Sequence, residues 1–204
     1  MFRVSCIQLC SSDNVEHNLK QTKRLIAKAV KQKTNFILTP EVSSKISLNK
    51  KKLLQTATTM EKDTYLNGIK DAAKNYKKWI LIGSLILKIS KKKLVNRSIL
   101  INPRGKIKCY YDKIHMYDAK LSKKEKYFES KLFQSGNKIK ITNLPWGKLG
   151  LSICYDLRFP GMYKKMSRRG AIFISIPSAF TETTGKKHWH TLLKARAIEN
   201  FSYI

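Results

Sequence analysis

The chain predicts an α/β domain. Strand-like and helix-like patterns alternate from one end to the other. The 204 residues are 42% hydrophobic, enough to bury one real core. No internal repeat and no linker-like stretch divides them.

The elements follow in order. Residues 2–9 alternate as a strand. Asp13 or Asn14 caps a helix whose apolar face is Val15, Leu19, Ile26, Ala29 and Val30. Residues 35–39 form a short buried strand ending at Pro40-Glu41, which puts the carboxylate where α/β sheets gather active-site groups. Past a lysine-rich surface stretch, 63–78 is a second helix. Strands 79–89 and 94–102 pair about the basic turn Lys91-Lys92-Lys93, and Pro103-Arg104-Gly105 is another turn. Strand 106–111 delivers Lys113 just past its end. Residues 119–137 are polar without a clear period, a candidate active-site loop. Residues 138–144 and 148–153 read as a hairpin around Pro145-Trp146-Gly147, the second strand running directly into Cys154. Helix 162–169, apolar strand 171–176 and helix 187–200 complete the order. Phe201-Ser202-Tyr203-Ile204 then has the pattern of a strand beginning, and a domain rarely stops on an unpaired apolar edge. The expectation is one domain over 1–204, incomplete at its C-terminal end.

Composition excludes several classes. The N-terminus has neither the apolar stretch nor the small-residue cleavage site of a signal peptide, and no window approaches the run of about 20 apolar residues that a membrane span needs. A soluble, cytoplasmic protein without a membrane partner is expected. Cys6, Cys10, Cys109 and Cys154 form no CxxC pair and no zinc spacing with histidine, so reduced thiols and no metal are expected. The 42 Lys+Arg against 13 Asp+Glu give a net charge of +29. Only eight of those cations are arginine and none gathers into an arm, so the surplus implies no specific nucleic acid and at most weak polyanion binding at low salt.

Residues 151–160, Leu-Ser-Ile-Cys-Tyr-Asp-Leu-Arg-Phe-Pro, carry the chemistry. A buried strand turning sharply into a helix presents Cys154 like a nucleophile elbow, and helix amides with a nearby cation are expected to lower its pKa. Amide hydrolysis through a thiol also needs a base, an oxyanion site and a proton for the leaving nitrogen. None of His17, His115, His188 and His190 is placed by pattern for the base, so a carboxylate at a strand end stands in.

Three stretches, Thr39-Pro40-Glu41, Tyr111-Asp112-Lys113-Ile114-His115 and Ile153 to Pro160, resemble in order the catalytic signatures of the nitrilase-like carbon–nitrogen hydrolase superfamily. The likeness extends through Pro177-Ser178-Ala179-Phe180-Thr181, His188-Trp189-His190 and Ala195 to Asn200. It implies an α-β-β-α sandwich that pairs into dimers or higher homo-oligomers, lacking its C-terminal strands here. It also implies a triad of Cys154 as nucleophile, Glu41 as general base and Lys113 for the transition state, with no metal or organic cofactor. Phe128-Glu129-Ser130 with Gly136 resembles the loop of a second active-site glutamate, which gives Glu129 the positioning of the lysine or the substrate. Glu129, Tyr155, Ser178 and Phe180 form the expected substrate-binding set, although Tyr155 and Phe180 read equally as core. Asp156, Arg158, Arg196 and Glu199 read as structural ion pairs more than as substrate ligands.

Arg158-Phe159-Pro160 with Pro177 to Phe180 is similar to the deaminated-glutathione amidase branch, which implies cleavage of that small acidic amide to 2-oxoglutarate and cysteinylglycine. Gly161 departs from the family's usual glutamate, away from the triad. The alternatives are an ω-amidase acting on α-ketoglutaramate, an N-carbamoyl amidase, an inactive fragment, and a basic nucleic-acid-binding protein.

Overall fold

The computed structural model describes residues 2–47, 49–120 and 126–204. Among these, five strands form one sheet in the order β1 (Val4–Cys6), β2 (Phe36–Leu38), β3 (Trp79–Lys88), β4 (Leu94–Ile101) and β5 (Ile107–Asp112). The first three are parallel, and β4 and β5 continue antiparallel. A second sheet sets β9 (Gly147–Leu151) between β8 (Lys140–Leu144) and a parallel β10 (Ala171–Ser175).

Side-chain parity sorts these strands into layers. Ile37, Ile80, Ile82, Ile99 and Ile101 face out of the first sheet, onto helices α1 (Val15–Lys31) and α3 (Thr64–Tyr76). Phe36, Leu81, Leu100, Cys109 and Tyr111 face the other way, onto Leu149 and Leu151 of the second sheet. That sheet's far side carries α4 (Pro160–Arg168): Tyr163 Oη donates to Ser152 Oγ at 2.9 Å, and Met166 Sδ lies 2.7 Å from where a Cβ on Gly150 would stand. Helix α5 (Glu182–Asn200) packs on α4. The result is the α-β-β-α sandwich that the resemblance implies. Strands covered on both faces need apolar residues at nearly every position, which explains why β3 is apolar apart from Gly83-Ser84 and its terminal Lys88.

A bulge in β3 breaks the alternation once. The β3–β4 register shifts between Ile82 and Leu85, so Leu85 and Leu87 return to the face of Ile82. Gly83 sits in that bulge against the carbonyls of Thr39 and Pro40, where a Cβ would overlap both.

Several boundaries differ from expectation. Asn14 is the cap of α1, accepting from the His17 amide at 2.9 Å, but the helix buries the polar Asn18 and Thr22 beside Ile26 and Ala29. The lysine-rich surface stretch contains a short helix α2 (Lys50–Thr56), capped by Asn49 and anchored by Leu53. Part of the polar 119–137 segment lies outside the described residues; the rest contains β6 (Asp118–Lys120) paired with β7 (Lys126–Phe128). Helix α5 begins five residues earlier than predicted, at Glu182. At the C-terminal end Tyr203 bridges Phe173 beside β10, with Tyr203 O accepting from Ile174 N at 2.8 Å. Among the described residues no helix is long and apolar enough to cross a membrane.

Candidate active site

The carboxyl ends of β2, β5, β9 and β10 converge on one end of the sandwich, the location where open α/β sheets place their ligands. Each of the three residues singled out as a triad follows one of these strands: Glu41 after β2, Lys113 after β5 and Cys154 after β9.

Glu41 is carried on a strained turn. Val42 has φ +47, a left-handed conformation costly for a β-branched residue. The β3 bulge holds it there: Ser84 Oγ accepts from Val42 N at 2.9 Å, and the Ser84 carbonyl accepts from Ser43 N at 3.1 Å. Cys154 is similarly set, at φ +48, its amide donating to Pro177 O at 2.9 Å. Asp156 fixes the far side of that elbow. Its Oδ2 accepts from Ile153 N at 2.9 Å and from Tyr111 Oη at 2.7 Å, and its Oδ1 contacts His115 N at 3.0 Å and Nδ1 at 2.7 Å. The helix expected after Cys154 is a single 3-10 turn over Cys154–Arg158 before α4 begins.

The side chains meet in a nearly closed chamber, with Lys113 at 2% and Glu41 at 6% exposure. Lys113 Nζ donates to Glu41 Oε1 at 3.3 Å and to Glu129 Oε1 and Oε2 at 3.1 and 2.8 Å. The other Glu41 oxygen accepts from Ala179 N at 2.9 Å, and Glu129 Oε2 accepts from Tyr117 N at 2.7 Å. Burial opposes the Lys113 charge, but Glu41, Cys154 and Glu129 outweigh it and hold the ammonium above the usual lysine value.

The thiol behaves differently from the expectation. Burial, reinforced by the Glu41 charge and a hydrogen bond to Glu41, pushes Cys154 well above the ordinary thiol range; Lys113 and the Ala179 amide pull the other way and lose. The sequence predicts a lowered pKa from a cation and helix amides, yet a single short turn supplies few amides and Lys113 is shared by two carboxylates. The surroundings of the resting thiol therefore favour its protonated form.

Outside the chamber, Cys154 opens into a cleft walled by Tyr117, Tyr155, Arg158, Ala179, Phe180, Thr181 and Thr184. Tyr155 packs on Tyr117 and Phe159, and Phe180 on Trp189. Of the expected substrate-binding set, Tyr155 and Phe180 line this cleft and Glu129 lies behind Lys113. Ser178 instead turns its hydroxyl onto Ile176 O at 3.1 Å. The expected ion pairs are realised in part: Arg196 pairs with Glu199 at 2.9 Å. Asp156 is bound by Tyr111 and His115 rather than by arginine. Arg158 has no carboxylate partner among the described residues; it meets His188 Nδ1 at 3.1 Å and faces the Tyr155 and Phe180 rings.

Two participants escape a pattern reading. Asn96 on β4 donates to Glu41 Oε1 at 2.9 Å, and the Ala179 backbone amide holds the other Glu41 oxygen. For Asn96 the available signal is the Asn96-Arg97-Ser98 interruption of an otherwise apolar strand; a backbone amide leaves none. Among the described residues no group of three or more histidines, cysteines or carboxylates is arranged to hold a metal.

Comparison with known proteins places the chain among relatives. Residues 3–204 match the carbon–nitrogen hydrolase family. The deaminated glutathione amidase of Yersinia enterocolitica is 36% identical over 97% of this chain and 69% of its own length. That of Dictyostelium discoideum is 38% identical over 99% and 72%. Omega-amidase NIT3 of Saccharomyces cerevisiae is 32% identical over 99% and 72%. The crystal structure of the C. elegans NitFhit protein superposes with a TM-score of 0.90 at 34% identity, covering 99% of this chain and 50% of that one.

Proposed function

The chain belongs to the carbon–nitrogen hydrolase family and is a hydrolase of carbon–nitrogen bonds, and from that premise we propose that Cys154, Glu41 and Lys113 are its catalytic residues in a thioester mechanism. The observation that carries this is the convergence, at the ends of β2, β5 and β9, of a buried carboxylate, an ammonium 3.3 Å from it and the Cys154 thiol. Glu41 accepts the thiol proton as sulfur attacks the amide carbonyl, so no free thiolate has to be stored. The oxyanion forms beside Lys113 and the Tyr155 amide in the first turn after the elbow. The proton held by Glu41 passes to the leaving nitrogen, the C–N bond breaks and a thioester remains. Glu41 then deprotonates water, which attacks the thioester carbonyl, and the released sulfur regains a proton. Glu129 keeps Lys113 in place through its two contacts.

The substrate in this reading is deaminated glutathione, cleaved to 2-oxoglutarate and cysteinylglycine. Two relatives named for that activity support it, as does Arg158, a guanidinium without a carboxylate partner among the described residues in the cleft wall. The relative named omega-amidase favours a second reading, α-ketoglutaramate. Competition at equal concentrations decides: kcat/KM is expected to favour deaminated glutathione. A tenfold preference for α-ketoglutaramate, about 1.4 kcal/mol of transition-state binding, moves the chain to the second reading. Pairing of two copies belongs to the same proposal, with Ile198 of α5 exposed at 74%, and sedimentation velocity tests it.

A further inference from the structure

Glu41 and Glu129 share one ammonium, and a second donor stands beside it. Asn96 is 3% exposed, and its Nδ2 lies 2.9 Å from Glu41 Oε1 and 3.5 Å from Glu129 Oε1, two of the three oxygens that Lys113 reaches. Ionised carboxylates only accept, so the amide must turn its NH2 toward them. Its Oδ1 is then left buried with no hydrogen-bond partner among the described residues. Most buried acceptors in folded proteins are paired, so one left over beside two carboxylates and a lysine calls for a reason. The Asn96 carbonyl also accepts from Lys113 N at 2.9 Å, so this residue sets the backbone position of the lysine as well as the acceptors its ammonium meets.

We propose that Asn96 is a positioning residue: its amide pins Glu41 Oε1 so that the carboxylate stays turned toward the Cys154 thiol, and it spaces Glu41 from Glu129 where a single lysine serves both. This rests on Glu41 acting as the proton acceptor. Without the amide, Lys113 and the reacting thiol itself are the side-chain donors left to Glu41 among the described residues, and the carboxylate swings about the Ala179 contact. Asn96 does not line the cleft, so it acts on the chemical step rather than on binding.

The test uses the full chain with Asn96→Leu, which removes the donor, and Asn96→Asp, which keeps the shape but donates only when protonated. Asn96→Leu is expected to lower kcat about tenfold, the scale of a lost hydrogen bond to a charged group, with KM within about twofold. Asn96→Asp is expected to lose activity relative to the parent progressively as pH rises, because the introduced carboxyl gives up its proton and adds a third negative charge beside Lys113. Alkylation of Cys154 by iodoacetamide, read by peptide mass, needs no substrate and is expected to slow in parallel. It separates this inference from the substrate assignment: if the parent hydrolyses neither amide but its alkylation shows these changes, the role of Asn96 stands and the substrate falls. If Asn96→Leu does not fold, Asn96→Asp alone decides. A folded variant whose kcat and alkylation rate stay within twofold of the parent, or an Asn96→Asp deficit that does not change with pH, overturns the proposal.

Discussion

Two buried carboxylates lie on either side of Cys154 in opposite surroundings. Asp156 is fully enclosed, and both its oxygens are filled by Tyr111, His115 and the Ile153 amide. The Tyr111 hydroxyl is pushed up, by burial first and then by that aspartate, so it stays a donor. Glu41 is nearly as buried, yet its neighbours are an ammonium shared with Glu129, an amide with an orphan oxygen, and a thiol that retains its proton. The difference teaches how to tell a structural carboxylate from a reactive one when burial is alike. The structural one is filled by a tyrosine hydroxyl, two backbone amides and a histidine ring, whereas the one proposed to react faces the Cys154 thiol.

The largest effect is expected from Cys154→Ala, which should lower turnover by about 10⁴-fold or more while leaving thermal stability near the parent's. Next comes the contrast between the two carboxylate sites. Lys113→Met leaves Glu41 and Glu129 buried without their cation and should cost about 3–5 kcal/mol in denaturant unfolding along with activity. Asp156→Asn, which strands donors from Tyr111, His115 and Ile153, should cost about 1–3 kcal/mol, and its folded fraction should still consume iodoacetamide at Cys154. Equal stability losses with equal loss of thiol reactivity would erase the distinction.

Much of this contrast was legible in the sequence, though unevenly. Glu41, Lys113 and Cys154 stand out because each follows a strand-patterned segment and lies in a recognisable stretch. Asp156 is expected to pair with arginine, but its partners are Tyr111 of β5 and His115 just past that strand's end, 41 to 45 residues away, and pairing across that separation leaves no local pattern. The bulge at Gly83 and Ser84 that grips Val42 is invisible for the same reason. The direction of the thiol shift is not legible because burial is its largest cause, followed by the Glu41 charge, and the enclosure of one side chain leaves no local pattern.

Smaller effects sharpen the picture. Arg158→Met should raise KM for an acidic amide by about tenfold while changing kcat little, as expected for a charge in the cleft wall. The raised Cys154 value also makes a stability prediction. The folded state holds this proton more tightly than the unfolded one, so stability is full below the ordinary thiol value of 9.0 and declines as pH rises through and beyond it. The raised Lys113 value acts in the same direction at still higher pH. Unfolding of Cys154→Ala should therefore decline less steeply above about pH 9 than that of the parent. Least of all, random duplex DNA should bind weakly and be released near physiological salt, since dispersed lysines offer only counterion release.

The most direct measurement is the mass of the peptide bearing Cys154 after acid quench during turnover of deaminated glutathione. A thioester mechanism predicts a 2-oxoglutaryl adduct on Cys154 that appears in the parent, decays as substrate is exhausted and is absent in Cys154→Ala. Product formation at the parent rate with Cys154 unmodified, or an adduct on another residue, would contradict it.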